Sequence, residues 1–146
     1  MTRFLKPYSG TVYSLMRIVF AFLYLSHGLK WLLGAFGGRP IPLNFVFFTV
    51  LGLHITPMIA GIIETICGSL MLVGLFTSWA AFIACGEMAV AYFRAHLPRG
   101  FFPINNLGEI TVMLCFFFLY LVAAGPGPWS LDYILSDPRG RHRRSR

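Results

Sequence analysis

Three glutamates lie inside runs of residues that are otherwise apolar enough to span a lipid bilayer: Glu64, Glu87 and Glu109. Three basic residues lie in such runs or at their ends: Arg17, Lys30 and Arg94. A charged side chain at the bilayer centre costs about 2.5–3.5 kcal/mol. A chain that keeps this many charges must pair them, neutralise some of them, or let them line a wet cavity. The pattern therefore predicts a small membrane protein with a polar centre.

The composition also favours a membrane protein. The chain has 146 residues, of which 57% are hydrophobic and 12% are charged, and its mean hydropathy is +0.71. Soluble domains average about 25% charged residues. Because a spanning helix needs about 20 residues, this length admits one domain of about four or five helices at most. No separate soluble domain is visible in the sequence.

Glycine, proline and capping residues divide the chain into four predicted spans. These are residues 12–33, 56–75, 78–96 and 104–124. Thr56-Pro57 starts the second span with a capping hydroxyl and a proline at the first helical position, and Gly125-Pro126-Gly127-Pro128 ends the fourth. Between the first two spans, Leu43–Leu53 is too short to cross and is predicted to be an interfacial or re-entrant helix. The predicted fold class is all-α, an integral membrane four-helix bundle with this short helix inserted.

Four spans place both chain ends, residues 1–11 and 125–146, on the same side of the membrane. That side carries seven basic residues: Arg3, Lys6, Arg139, Arg141, Arg143, Arg144 and Arg146. The opposite side carries four: Lys30, Arg39, Arg94 and Arg99. The positive-inside rule then predicts that both termini are cytoplasmic in a bacterial inner membrane. The tail is interpreted as a topology signal that contacts headgroups, and nucleic-acid binding is not expected, because no aromatic or folded module accompanies it.

Most polar residues of the predicted spans fall in the non-cytoplasmic half. His27 and Lys30 share a helix face, and Glu87 and Arg94 share another that also carries alanines, which suits helix contact. The candidate polar pocket comprises His27, Lys30, Glu64, Glu87, Arg94, His96, Asn106 and Glu109. Arg17 lies nearer the inner end and is predicted to be a deeper charge partner. The acids are expected to meet the bases; the alternative is that these groups only form internal salt bridges between helices.

Histidine and cysteine patterns do not favour a metal or haem site. His27 and His96 could meet on the outer side, but no spacing requires a haem there, and a zinc site drawn from these histidines with Glu64 and Glu109 is disfavoured in the same way. We expect no metal. The three cysteines fall in the middle of spans without a CxxC pair: Cys67, Cys85 and Cys115. Buried free cysteine usually behaves as a small apolar residue, so dithiol chemistry is not expected from the sequence.

The order of several short motifs resembles the DoxX family of membrane proteins. The matching residues are Arg17; His27-Gly28 with Lys30; Glu64 and Gly68, followed by Leu72-x-Gly74-Leu75; Glu87; His96; Phe101-Phe102; Asn106 with Gly108-Glu109; and Ser130-Leu131-Asp132. The resemblance implies a four-helix membrane bundle. It also implies a link to respiratory or sulfur redox chemistry, because the family's namesakes are subunits of a thiosulfate:quinone oxidoreductase. The arginine-rich tail departs from the family pattern.

Three functions remain open at this point. The first is a small inner-membrane subunit of an oxidoreductase system, with an outward-facing pocket for a quinone-like or small-molecule ligand. In it, Glu64 and Glu109 would accept protons or hydrogen bonds, His27 would shuttle protons, and Lys30 and Arg94 would stabilise an anionic head group. The second is a non-enzymatic assembly or anchoring subunit, and the third a small-solute transporter, which the short chain disfavours. Expected partners are the lipid bilayer, other subunits of a membrane redox complex, or further copies of the chain; catalysis is not assigned to any residue.

Overall fold

The computed structural model describes residues 2–40 and 56–136 of the chain. Every regular element in these ranges is helical, which confirms the all-α prediction for the part described. The predicted interfacial helix Leu43–Leu53 and the arginine-rich tail lie outside the described residues. The roles assigned to them therefore stay predictions.

Four long helices dominate the described ranges. They are α1 (Ser9–Leu33), α2 (Thr56–Val73), α3 (Thr77–Ala91) and α4 (Glu109–Ala124). A π-helical segment, Tyr92–His96, continues α3, and short helices lie at Thr2–Leu5, Pro103–Asn106 and Leu131–Leu135. The helices follow the four predicted spans except that α4 begins later than residue 104. Leu107 adopts a left-handed conformation with φ of 60°, and this turn separates Pro103–Asn106 from α4.

The first helix and the outer faces of the others suit contact with lipid. The segment Lys6–Leu33 has 28 residues and a mean hydropathy of 1.4, and within the described ranges it is the one helix both long and apolar enough to cross a membrane. Met58–Val73 and Glu109–Ala124 are apolar but shorter. Large apolar side chains are exposed on all four helices: Val19, Phe22, Ile66, Phe82 and Phe116. Exposed apolar surface on this scale marks a region that contacts lipid or another protein.

The four helices pack around a shared core that combines alanines with larger side chains such as Tyr24, Met71 and Phe118. α1 packs against α2, α2 against α3, and α3 against α4. Aromatic pairs join α1 to α4: Phe20 stacks on Phe117 with ring centroids 4.1 Å apart, and Tyr24 meets Phe118 edge-on at 4.8 Å. The alanines of the core are Ala21, Ala80, Ala81 and Ala84. Small side chains let helices approach closely where lipid, not water, surrounds them.

Gly28 sets the closest approach between α1 and α2. A Cβ atom built on Gly28 would lie 2.7 Å from the backbone nitrogen of Thr65 and 2.8 Å from the carbonyl oxygen of Gly61. A side chain at this position would therefore have to push the two helix backbones apart. Leu25 lies against Gly68 in the same way, so residues 25–28 of α1 pack on the middle of α2.

A polar junction closes one end of the helices, and we call Arg17 with its partners the Arg17 junction. The guanidinium of Arg17 is fully buried and donates to the carbonyl oxygens of Met71 and Trp129 and, at 3.2 Å, to that of Leu72. The last turn of a helix leaves carbonyls without intrahelical partners and carries partial negative charge. Whereas the sequence predicts a glutamate partner for Arg17, its described hydrogen bonds go to backbone at the end of α2 and to the segment after α4.

Asp132 ties that segment to the start of α3. Its two carboxylate oxygens accept hydrogen bonds from the backbone N–H groups of Phe76 and Thr77, each at 2.8 Å, and its own N–H donates to the carbonyl of Gly74 at 2.8 Å. Burial alone would raise the pKa of Asp132, but these two N–H donors and the nearby Arg17 outweigh burial and lower its pKa. Asp132 thus caps α3 from outside the helix.

We expect Asp132→Ala to lower the free energy of unfolding at neutral pH by about 1 kcal/mol, the usual cost of losing a helix cap. Asp132→Asn keeps a side-chain acceptor and should lose less. Folding lowers the pKa of Asp132, so its contribution to stability is complete above the ordinary value of 3.8 and is lost as pH falls through the lower pKa of the folded protein. The difference in unfolding free energy between wild type and Asp132→Ala should therefore shrink below pH 3.8. Unfolding curves measured in detergent from pH 7 to pH 3 check this, and a gap that stays constant would contradict it.

Candidate functional site

A cavity of about 1070 Å³ lies at the end of the helices opposite the Arg17 junction. Its polar lining consists of Tyr24, His27, Glu64, Glu87, Arg94, His96 and Thr111. Its walls are otherwise apolar, and include Ile63, Ile83, Met88, Val90 and Leu114. An apolar cavity with a few convergent polar groups is the usual form of a small-molecule binding site.

Helix periodicity explains how these side chains reach one space. Tyr24, His27 and Trp31 are separated by three and four residues, so they share the cavity face of α1. Glu87 and Arg94 are seven residues apart on α3 and its continuation, so they share a face and are offset by roughly 10 Å along the axis. Glu87 is therefore the deeper of the two, and Arg94 lies toward the end of the helices.

The deep part of the cavity holds two carboxyls and a phenol, which we call the Glu64 cluster: Tyr24, Glu64 and Glu87. The hydroxyl of Tyr24 donates to Oε2 of Glu87 at 3.1 Å. Glu64 is only 7% exposed, and its Oε2 has no hydrogen-bond partner among the described residues. A buried polar atom without a partner costs about 1–3 kcal/mol and calls for an explanation. A ligand that hydrogen-bonds to Glu64 would supply one.

His96 and Asn106 hold the backbone that borders the cavity. The two ring nitrogens of His96 lie 3.0 Å from the carbonyl oxygen of Asn106 and 3.2 Å from the hydroxyl of Thr111. Asn106 is buried, donates to the carbonyl of Gly100 at 2.6 Å, and accepts from the N–H of Gly108 at 2.8 Å. These bonds span Leu107, the left-handed residue that also lines the cavity. With both ring nitrogens engaged, His96 positions the loop instead of offering a free nitrogen.

The structure brings most, but not all, of the predicted pocket residues together. His27, Glu64, Glu87, Arg94 and His96 line the cavity. The remaining three predicted residues, Lys30, Asn106 and Glu109, are not part of its lining.

Each of the three has a local reason for its position. Lys30 is exposed, and its side chain lies against the Gly38 turn that follows α1. Asn106 is buried in the loop that it holds. Glu109 is exposed because it is the first residue of α4, and not one turn and a half into a longer helix. The roles predicted for Lys30 and Glu109 in ligand contact therefore find no support in the geometry.

Sequence reasoning missed Tyr24, Thr111 and a pair of cysteines. Tyr24 stands three residues before His27, so the helical spacing could have placed it on the same face. Cys85 and Cys115 lie on α3 and α4 with their sulfur atoms 3.7 Å apart, and no motif joins residues so distant in sequence. Within residues 2–40 and 56–136, no group of three or more His, Cys, Asp or Glu side chains is placed to hold a metal ion.

The described residues thus form helices with one long apolar helix, apolar outer faces and a polar cavity at one end, which is the character of a membrane protein. The DoxX family model matches residues 12–97, and the chain belongs to this family. It is 36% identical over 137 residues to an uncharacterised protein of Haemophilus influenzae, covering 88% of this chain and 93% of the relative. It is 31% identical over 86 residues to an uncharacterised membrane protein of Mycobacterium tuberculosis, covering 52% of this chain and 53% of that relative. No solved structure matches the chain.

Proposed function

We propose that this DoxX family membrane protein is a small subunit of an oxidoreductase system and that its cavity binds a quinone-like ligand. The four helices would cross a bacterial inner membrane as a bundle, with both termini in the cytoplasm and the cavity toward the outer side. The observation that carries the proposal is the buried Oε2 of Glu64, which has no partner among the described residues and belongs to a cavity of ligand size.

The cavity chemistry suits a quinone better than a charged solute. Its walls are mainly apolar and would accept a ring and the start of an isoprenoid tail, whereas the Glu64 cluster offers carboxyl and phenol groups to the ring oxygens. A quinol hydroxyl can donate to a carboxylate, and a protonated carboxyl can donate to a quinone carbonyl. His27 and Arg94, nearer the end of the helices, would handle protons and negative charge that develop on the ligand.

The opposite end of the helices is filled, which argues against a transport path. Phe20 stacks on Phe117, Tyr24 packs edge-on against Phe118, and the buried Arg17 lies beyond them. The described polar lining therefore stays on the side of the Glu64 cluster. A bound ligand would be held and exchanged at one end, as in a binding subunit.

The test uses a cavity-filling substitution with a matched control. A Cβ atom built on Gly86, a lining residue, meets no heavy atom within 4 Å, so Gly86→Phe should fill the cavity without breaking a helix contact. We expect decylubiquinone to quench Trp31 fluorescence saturably in the full chain in lipid nanodiscs. Gly86→Phe should weaken binding by roughly tenfold or more, a loss of about 1.4 kcal/mol, and Gly86→Ala should bind like wild type.

Two further results frame this test. Trp31→Phe should abolish the saturable part of the quenching, because Trp31 lines the cavity and the other two tryptophans, Trp79 and Trp129, are not part of its lining. Quenching that does not saturate, or that is equal in Gly86→Phe and Gly86→Ala, would overturn the quinone site. If decylubiquinone did not bind while Glu109→Gln dissociated a complex purified from the membrane, the anchoring function would replace it, since Glu109 is exposed outside the cavity.

A further inference from the structure

Two cysteines from neighbouring helices face each other beside the cavity. The sulfur atoms of Cys85 on α3 and Cys115 on α4 are 3.7 Å apart, and the sulfur of Cys115 also lies 3.5 Å from the carbonyl oxygen of Cys85. Both are free thiols and both are partly buried. The third cysteine, Cys67, belongs to α2 and is 4% exposed in the core. The chain thus has two thiols in contact, and Cys67 serves as an internal control.

The thiol pair lies about one helical turn from residues that line the cavity. On α4, Thr111 precedes Cys115 by four residues and so shares its face, and on α3, Met88 follows Cys85 by three; both line the cavity. Gly86, the next residue after Cys85, also lines it. A ligand in the cavity would therefore be separated from the sulfurs by little more than the helix wall.

We propose that Cys85 and Cys115 form a redox-active dithiol whose electrons pass to a quinone bound in the cavity. The proposal rests on the proposed function, since the cavity must hold the acceptor. In the reaction, the two S–H bonds break and one S–S bond forms, which releases two electrons and two protons. The quinone takes up both electrons and both protons on its two ring oxygens and leaves as the quinol.

Closing the bond requires only a local movement. A disulfide has sulfur atoms about 2.05 Å apart, so the two sulfurs must approach by roughly 1.7 Å from their contact distance. α3 and α4 are already packed against each other, so the approach takes place within an existing helix contact. The bond would join α3 to α4 next to Gly86 and Thr111.

The first measurement counts thiols in the full chain in nanodiscs without oxygen. The reduced protein is incubated with decylubiquinone, denatured in acid to stop thiol exchange, and then labelled with a maleimide at neutral pH in denaturant. We expect the number of free thiols to fall from three to one per chain, and dithiothreitol to restore them. Cys85→Ser and Cys115→Ser should each keep both of their remaining thiols, and Cys67→Ala should lose both of its thiols. After trypsin cleavage of Cys67→Ala, the peptide that ends at Arg94 contains Cys85 and the peptide that begins after Arg99 contains Cys115. A disulfide should hold these two peptides together until it is reduced.

The second measurement separates the dithiol from the quinone site. Diamide oxidises thiols without needing the cavity, so it should close the bond equally in Gly86→Phe and Gly86→Ala, whereas decylubiquinone should close it only in Gly86→Ala. If Trp31 reports saturable quinone binding but the thiols persist, the dithiol proposal is overturned and the proposed function stands. If Trp31 reports no binding, the proposed function fails and the electron acceptor named here fails with it. Quinone-driven closure in Gly86→Phe equal to that in Gly86→Ala would also overturn the proposal.

Discussion

Arg17→Met should lower the free energy of unfolding by about 3 kcal/mol or more. Methionine keeps an unbranched apolar stem but is shorter than arginine and has no donor, so it leaves the carbonyls of Met71, Leu72 and Trp129 without the guanidinium. Each unsatisfied buried group costs about 1–3 kcal/mol. Unfolding of the purified chain by denaturant in mixed micelles measures the loss.

Arg17→Lys is the matched control for charge. Lysine keeps the positive charge at the negative end of α2, but its single ammonium cannot reproduce the planar fork that reaches both the end of α2 and the segment after α4. We expect a smaller loss than for methionine. Because the Arg17 junction lies at the end away from the cavity, the folded fraction of both variants should bind decylubiquinone like wild type. An Arg17→Met chain as stable as wild type would show that the junction is not the constraint described above.

The helices were predictable because their start and stop signals are local. Gly34 follows α1, Thr56 begins α2, and Gly125 follows α4, each as the sequence indicates. The start of α4 was misplaced because Leu107 interrupts the helix with a left-handed turn. Leucine carries no signal for that conformation, which depends on the hydrogen bonds of Asn106 and not on the identity of the residue itself.

The cavity was only partly predictable. Helix spacing shows which side chains share a helix face, but it does not show which groups on other helices they contact. The spacing placed His27, Glu64 and Glu87 on inward faces, and they share one cavity. The sequence has three acids and three bases in the spans, and pairing them did not predict that Arg17 donates to carbonyl oxygens. Every residue has a backbone carbonyl, so the sequence does not show which carbonyls accept from a side chain. Cys85 and Cys115 are brought together by the packing of α3 on α4, which single-helix periodicity does not specify.

Glu64→Met should change stability and ligand binding in opposite directions. Replacing the buried carboxyl with an apolar side chain of similar length removes an atom that has no partner among the described residues. We therefore expect the free energy of unfolding without added ligand to rise by about 1–3 kcal/mol. Decylubiquinone binding, followed by Trp31 fluorescence, should weaken by roughly tenfold, because the quinone carbonyl loses the protonated carboxyl that donates to it, and a buried acceptor left without a donor costs about 1–3 kcal/mol. Glu64→Gln keeps the shape of the side chain, and we expect its stability and its affinity for decylubiquinone to fall between those of wild type and Glu64→Met.

The opposite signs are what distinguish a ligand-binding carboxyl from a structural one. A glutamate that only holds helices together loses stability when it is replaced, whereas one kept for a ligand can lower the stability of the protein that carries it. Glu109 supplies the comparison, since it is exposed and not part of the cavity lining, and Glu109→Gln should change neither quantity. If Glu64→Met lost stability, Glu64 would have a structural partner within the chain. If it kept full affinity for decylubiquinone, the ligand would be held by groups other than the buried carboxyl on which the quinone site depends.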